Sequence, residues 1–271
     1  MAAARLPKLT EVLATVHRAG VLELRLNTPE NLNSMTVKKY RDLVDGLHFA
    51  RDDKDIKAVV VTANGRFFSS GAVLAGPDRL APDSPGLLGA REYISTLIDF
   101  PKLAATAIQG PAFGVAVTTL PYFDLIYAAP EATFTTPFSR IGINVEACSS
   151  VTFPPIFGPS MTTRLLQLSQ TIPAKELEYT GLFREILPKD GIQESVVEKV
   201  AQQLEGLSPA SITTSKSLIR SPEVRKHLHD VNAKEMAVLN ATLGSDEHKE
   251  YLQKFFDAQK AKSKKAKEAK L

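Results

Sequence analysis

The sequence is poor in three features, each of which would point to a particular class of protein. It has one cysteine, Cys148, in 271 residues, which excludes an internal disulfide and favours a reducing intracellular compartment. It has no apolar run approaching the roughly 18 to 20 residues that a helix needs to cross a bilayer. Its first twenty residues lack an uninterrupted apolar stretch, which argues against a secretory signal. We therefore expect an intracellular protein with a sizeable apolar core and no membrane span.

The body of the chain also lacks an excess of basic residues. The formal charge is +3, but residues 259–271 contain six lysines and one acid, so the preceding 258 residues carry a net charge of −2. A nucleic-acid-binding domain would present a basic face, so we expect no nucleic-acid partner. The lysine-rich end itself is typical of a solvated chain terminus.

The first part of the chain alternates strand and helix patterns. Residues 11–17 and 21–26 are predicted strands joined by a hairpin-like turn, and the apolar spacing over 36–51 predicts a surface helix. The β-branched run within residues 56–63 is typical of a strand buried on both faces. Further short strands are predicted over 103–108 and 125–128, with a buried helix over 114–120. This alternation predicts an α/β fold.

The second part of the chain has a different sequence pattern. Residues 73–90 are rich in Gly and Pro and are predicted to form a loop. From about residue 159 onward the sequence predicts a helical region, with capping serines followed by proline or acid at several helix starts. The predicted helices cover 160–168, 174–181, 190–206, 208–220, 223–241 and 246–260.

Three segments carry residue types suited to chemistry. Residues 65–72 (GRFFSSGA) and 110–117 (GPAFGVAV) each follow a predicted strand and lead towards a helix start, where backbone N–H groups have no partner within the helix. Two such donors directed at one point form an oxyanion hole, although glycine also serves ordinary turns. Glu146 lies in an otherwise apolar stretch, which would raise its pKa and make it a stronger base. It could equally be an acid stabilised by a helix dipole.

At these segments the sequence resembles the crotonase, or enoyl-CoA hydratase/isomerase, superfamily. LNTPENLNSM at 26–35 resembles the family's segment beside the CoA adenine, and 65–72 and 109–115 resemble its two oxyanion-hole segments. Residues 123–143 resemble the stretch before the catalytic helix. The resemblance continues in the C-terminal helices, over 171–188 and 245–262.

The resemblance implies a crotonase-like spiral of ββα units over residues 1–200, followed by a helical region over 201–271 that assembles trimers or hexamers. It implies an acyl-CoA substrate, so that CoA arrives with the substrate and neither a separate cofactor nor a metal is expected. The implied oxyanion donors are the N–H groups of Ala72 and Val115, and the implied base is Glu146. The residues expected around the nucleotide and the acyl group are Asn31, Leu32, Phe68, Ser70, Gly71, Gly114 and Phe138.

The acids that are present decide between reactions within this superfamily. Its hydratases use two glutamates, and this chain has Thr118 and Phe138 at the matching positions. In the three segments described above, only Glu146 carries a carboxylate, and it matches the single glutamate of the peroxisomal delta3,delta2-enoyl-CoA isomerases. One base suffices for isomerisation, because the proton taken from the alpha carbon is returned to the gamma carbon. We therefore expect conversion of 3-enoyl-CoA to 2-enoyl-CoA.

Two alternatives remain open at this stage. One is hydration or dehydration of an acyl-CoA, and the other is a catalytically silent protein that only binds CoA or a partner. The chain departs from the family pattern at Val73, Ala147 and Cys148, which keeps the second alternative open.

The last three residues resemble a peroxisomal address. Ala269-Lys270-Leu271 is similar to Ser-Lys-Leu, which an import receptor reads at an exposed C-terminus. We therefore expect a peroxisomal location and an import receptor as a partner.

Overall fold

The structure is a computed structural model that describes residues 6–76 and 79–268. Within these residues the chain forms a six-stranded sheet and a three-stranded sheet, with helices packed around them. The strands are β1 (Val12–Val16), β2 (Val21–Leu26), β3 (Ala58–Ala63), β4 (Leu103–Ile108), β5 (Ala112–Phe113), β6 (Leu125–Ala128), β7 (Thr133–Thr135), β8 (Thr171–Pro173) and β9 (Glu185–Ile186). The α-helices are α1 (Val37–Asp52), α2 (Pro85–Asp99), α3 (Val115–Thr118), α4 (Ser149–Thr162), α5 (Ala174–Leu177), α6 (Ile192–Leu204), α7 (Pro209–Ile219), α8 (Pro222–Leu243) and α9 (Asp246–Glu268).

The larger sheet has the strand order β1-β2-β3-β4-β6-β9 and is parallel except for the antiparallel pair β1 and β2. Its central strand β3 is buried along its whole length, as the β-branched run predicts. Val59 and Val61 belong to the core shared with α1 and α2, whereas Val60 belongs to the core shared with α6. This alternation places apolar layers on both faces of the sheet.

The smaller sheet has the order β5-β7-β8, with β5 and β7 parallel and β7 and β8 antiparallel. Among the described residues, no helix is both long enough and apolar enough to cross a bilayer.

The boundaries differ from the sequence prediction at the loop over 73–90 and at the helix over 160–168. The loop predicted over 73–90 ends earlier, because Ser84 caps α2 by accepting a hydrogen bond from Leu87 N at 3.2 Å. The helix predicted over 160–168 belongs to a longer helical segment that begins at Ser149, and its end, residues 163–167, has π-helical hydrogen bonding. Three prolines and Gly158 lie within α4, so its sequence does not have the pattern of a helix.

The region after residue 159 is mostly helical, as predicted, but it also contains two short strands that the sequence did not predict. Strand β8 pairs with β7, and β9 extends the larger sheet by pairing with β6. Both strands have only two or three residues, too few to show a period-two pattern. Helix α6 packs on the larger sheet and crosses residue 200.

Candidate active site

The two predicted oxyanion segments lie directly against each other. Phe68 N donates to Pro111 O at 3.0 Å, and Phe113 N donates to Ser69 O at 3.0 Å. Gly71 has a φ of 79°, and a Cβ atom there would lie 2.7 Å from Phe113 O, so no side chain fits. The glycine therefore allows the two backbones to approach.

Hydrogen bonds on both sides fix the backbone around the two expected donors. Met35 N donates to Gly71 O at 2.8 Å, and Gly114 N donates to Thr135 O at 2.9 Å. Among the described residues, the N–H groups of Ala72 and Val115 donate to no protein acceptor. Val115 is the first residue of α3, where a helix leaves its N–H groups unpaired. Both amides are therefore available to a ligand.

These amides adjoin a cavity of about 400 Å³ that includes its open mouth. Its walls are mostly apolar, as the walls of small-molecule sites usually are. The lining residues are Ser70, Gly71, Ala72, Leu74, Leu80, Phe113, Gly114, Val115, Pro137, Phe138, Ile141, Ile143 and Glu146. Among the described residues that line the cavity, only Glu146 is ionisable.

The Glu146 side chain is 6% exposed, and the pKa of its carboxyl group is raised from 4.5 to about 8. Burial is the largest cause, because it disfavours the charged form. The negative charge of Glu235 raises the pKa further, whereas a hydrogen bond from Thr118 lowers it. The upward shift expected from the apolar sequence around Glu146 is thus present.

The backbone reverses sharply after Glu146. Ala147 and Cys148 both have a φ of 58°, a left-handed conformation that is uncommon for non-glycine residues. Ser149 N and Oγ both donate to the Glu146 carbonyl oxygen, at 3.1 and 2.6 Å, as α4 begins. The turn therefore separates Glu146 from the axis of the helix that follows it.

Sequence analysis did not identify Glu235, which lies in α8 and is 7% exposed. One carboxylate oxygen accepts from Cys148 N at 2.7 Å, and the other accepts from Ser150 N at 3.2 Å and from the Ser150 hydroxyl. A sequence signal exists, because Glu235 occurs on the stripe of buried α8 residues formed by Asn232, Glu235, Met236, Leu239 and Leu243. A carboxylate on the buried face of a helix requires partners.

The residues expected around the nucleotide and the acyl group are only partly brought to this cavity. Ser70, Gly71 and Gly114 line it, together with Phe138. Neither Asn31, which is exposed, nor Leu32, which is half-buried, is among the lining residues. Ser70 N donates to Leu32 O at 2.9 Å, so their segment is nonetheless attached to the first oxyanion segment.

The Phe68 side chain lies elsewhere, in the apolar core at 4% exposure. It lines a separate internal cavity together with Met35, Tyr93 and Val115. This cavity shares Val115 and no other lining residue with the cavity that contains Glu146. The structure therefore does not bring the Phe68 ring to the cavity that contains Glu146.

Cysteine and the metal-binding residue types do not form a second candidate site in the described part of the chain. Cys148 is fully buried, as is usual for a cysteine that serves as a small core residue. Among the described residues, no group of three or more His, Cys, Asp or Glu side chains is arranged to hold a metal ion.

The fold and the sequence are those of a known family of proteins. Residues 17–266 match the family model for enoyl-CoA hydratase/isomerase, and the chain belongs to this family. An enoyl-CoA hydratase/isomerase structure from Pseudoalteromonas atlantica T6c superposes with a TM-score of 0.83 at 28% identity, covering 92% of this chain and 98% of that one. The α/β crotonase fold predicted from the sequence is thereby confirmed.

Two named relatives make the comparison within this family more specific. The chain is 36% identical to human "Enoyl-CoA delta isomerase 2" over 245 residues, covering 88% of this chain and 61% of that protein. It is 33% identical to mouse "Enoyl-CoA delta isomerase 3, peroxisomal" over 250 residues, covering 90% and 78%. The chain thus spans about three fifths of the length of the human relative.

Proposed function

We propose that the protein is an enoyl-CoA delta isomerase that moves the double bond of 3-enoyl-CoA to give 2-enoyl-CoA. One observation carries the proposal: a single buried carboxylate, Glu146, lines the same cavity as the two unpaired amides of Ala72 and Val115. The names of the human and mouse relatives support the same reaction.

In the proposed reaction the thioester oxygen accepts hydrogen bonds from Ala72 N and Val115 N. These donors stabilise the negative charge that develops on this oxygen when the alpha C–H bond breaks. The Glu146 carboxylate takes the alpha proton, and the bonding electrons move to form a dienolate. Glu146 then returns the proton to the gamma carbon as the charge flows back, so the acid is regenerated as a carboxylate and no water is consumed.

The raised pKa suits Glu146 to this task. A carboxylate whose conjugate acid has a pKa of about 8 is a stronger base than an ordinary glutamate, and its protonated form can give the proton back. Because the free enzyme must hold Glu146 deprotonated, kcat/KM is expected to rise with pH and to level off above about 8.

The residues at the hydratase positions favour isomerisation over water addition. Thr118 is fully buried and carries no carboxylate, and the Phe138 ring forms part of the apolar cavity wall. The family's hydratases use a second carboxylate to add water to 2-enoyl-CoA, and the lining residues of this cavity do not include one. The hydratase alternative therefore lacks a supporting observation in this cavity.

The test is to incubate the purified protein separately with 3-enoyl-CoA and 2-enoyl-CoA and to analyse the products by mass spectrometry and conjugated-thioester absorbance. We expect the first substrate to isomerise and the second to gain no water. Glu146→Gln is expected to lower kcat by about 10²- to 10⁴-fold while CoA binding persists. Glu131→Gln, at an exposed position, is the matched control and should retain wild-type turnover.

The outcomes separate the alternatives. Water addition to 2-enoyl-CoA without isomerisation of 3-enoyl-CoA would identify a hydratase. A wild-type protein that binds CoA but converts neither thioester would identify the silent binding protein. Full activity of Glu146→Gln would remove the base from the mechanism.

We further propose a peroxisomal location and self-association through the C-terminal helices. The word "peroxisomal" in the mouse relative's name supports the location, whereas Ala269-Lys270-Leu271 lies outside the described residues. Leu218 and Ile219 in α7 are about three-quarters exposed, which is compatible with burial against another copy. Imaging a fluorescent fusion with and without residues 269–271 tests the location, and light scattering of the purified protein tests the assembly.

A further inference from the structure

Helix α8 contacts the catalytic turn from a distant part of the chain. Glu235 is more than 80 residues from the turn, and its carboxylate accepts hydrogen bonds from Cys148 N, Ser150 N and the Ser150 hydroxyl. Hydrogen bonds to a charged acceptor are about twice as strong as neutral ones. The carboxylate also caps the first turn of α4, where the helix dipole favours negative charge.

The turn requires such support because its backbone conformation is unfavourable. Ala147 and Cys148 are both left-handed, and each non-glycine residue in that region costs on the order of 1–2 kcal/mol. The Tyr122 hydroxyl donates to Ala147 O at 2.9 Å, and Cys148 Sγ lies 3.1 Å from Leu228 O. Of the groups that hold this turn, Glu235 alone bonds to backbone N–H groups on both sides of Ser149.

We propose that Glu235 is a positioning residue that fixes residues 147–150 and thereby directs the Glu146 side chain into the cavity. This inference rests on the proposed function for its catalytic consequence. Glu235 does not line the cavity and would not touch the substrate. It acts through the backbone that carries the base.

The arrangement also has an electrostatic consequence. The Glu235 charge acts on Glu146 and raises its pKa, after the larger effect of burial. Burial also raises the pKa of Glu235 itself, whereas the hydrogen bonds from Ser150 and from Cys148 N oppose this rise by favouring the charged form. The other titratable groups that interact with either carboxylate are Tyr40 of α1, whose buried hydroxyl has no hydrogen-bond partner among the described residues, Tyr122, and Cys148. Their pKa values are raised by burial, so they are neutral near neutral pH. Removing the charge at 235 should therefore lower the pKa of Glu146.

The experiment compares the wild type with Glu235→Gln and Glu235→Asp by two measurements. The first is kcat and KM for 3-enoyl-CoA as a function of pH. The second is the titration of the Glu146 carboxyl carbon by ¹³C NMR, with the resonance assigned by its loss in Glu146→Gln. Asp230→Asn, an exposed acid-to-amide change on the same helix, is the control and should change neither measurement.

Glu235→Gln is expected to lower the Glu146 midpoint by about 0.5–1 pH unit and to reduce kcat at least about tenfold, with little change in KM. Glu235→Asp keeps the charge but is shorter. It should retain the wild-type midpoint while kcat falls. A role confined to stability would lower the unfolding temperature without moving the midpoint.

Other results would overturn the inference. A folded Glu235→Gln protein with the wild-type midpoint and kcat contradicts it. If Glu235→Gln does not fold, wild-type kcat in Glu235→Asp contradicts it instead. A wild type inactive on 3-enoyl-CoA would refute the proposed function, but the NMR midpoints would still decide whether Glu235 acts on Glu146.

Discussion

In the part of the chain that the structure describes, two turns place consecutive non-glycine residues in the left-handed region, and different side chains hold them. In the turn at Leu32 and Asn33, with φ values of 58° and 52°, Asn33 holds the backbone with its own side chain. The Asn33 amide accepts from Thr28 N at 2.9 Å and donates to Asn64 O and Phe67 O at 2.8 and 3.1 Å.

The turn at Ala147 and Cys148 depends instead on Glu235 of α8. The first turn thus contains its own stabilising side chain, whereas the second is complete only when a helix from the end of the chain has packed against it. The orientation of the proposed base, Glu146, therefore depends on contacts between distant parts of the chain. The orientation of the 32–33 segment depends chiefly on one of its own residues.

The largest stability change expected from this comparison follows removal of the Asn33 side chain. Asn33→Ala would leave Thr28 N without this acceptor and Asn64 O without this donor in a fully buried site, whereas Gln109 Nε2 would still donate to Phe67 O at 2.9 Å. We expect the free energy of unfolding to fall by about 2–4 kcal/mol in chemical denaturation. Asn31→Ala, at an exposed position in the same segment, should cost less than about 0.5 kcal/mol. Equal effects of the two substitutions would show that the side-chain network does not hold the turn.

A second prediction concerns the carboxyl group of Glu146, the residue directly before the turn at Ala147 and Cys148. The pKa of Glu146 is raised from 4.5 to about 8, so the folded state binds this proton more tightly than the unfolded state does. Stability from this group is therefore fully present below about pH 4.5 and is lost as pH rises towards 8.

Glu146→Gln should consequently be more stable than the wild type at pH 9, by at least about 1 kcal/mol, with the advantage disappearing near pH 4.5. Denaturation at several pH values measures this difference. Glu131→Gln should show no comparable pH dependence. A constant difference between Glu146→Gln and the wild type across this range would contradict the assignment of a raised pKa.

The smallest effect is expected at the strained backbone itself. Ala147→Gly relieves the cost of a positive φ but gives the unfolded chain more freedom, so the free energy of unfolding should change by less than about 1 kcal/mol in either direction. Ala201→Gly, inside α6 and equally buried, should lower it by about 1 kcal/mol or more. Similar losses at the two positions would argue that Ala147 is not strained.

The sequence predicts the parts of the fold and site that depend on local patterns. Strand β3 and the helix start at Ser208 have strong short-range signals, and the structure confirms them. Ala72, Val115 and Glu146 were assigned through the resemblance of their segments to the enoyl-CoA hydratase/isomerase family, and the structure brings all three to one cavity.

The parts that could not be predicted depend on contacts between distant residues. Strand β9 is defined by its pairing with β6 rather than by its two residues. Glu235 has the neighbours of an ordinary amphipathic helix, and its role appears only when α8 lies against Cys148 and Ser150. Phe68 was expected beside the nucleotide, but its side chain is buried in the core, whereas the neighbouring Phe67 is only partly buried.

A last feature concerns how this protein could be recombined with its relatives. Gly142 has a φ of 63°, and a Cβ atom there would lie 3.0 Å from the Cα atom of His248 in α9. The His248 ring and Ile141 O are joined by a hydrogen bond of 2.7 Å, and Ile141 and Ile143 form part of the cavity wall. A chimaera that took α9 from one parent and residues 141–143 from another would have to match both surfaces of this contact. The two segments therefore form one exchangeable block, although more than 100 residues separate them in the chain.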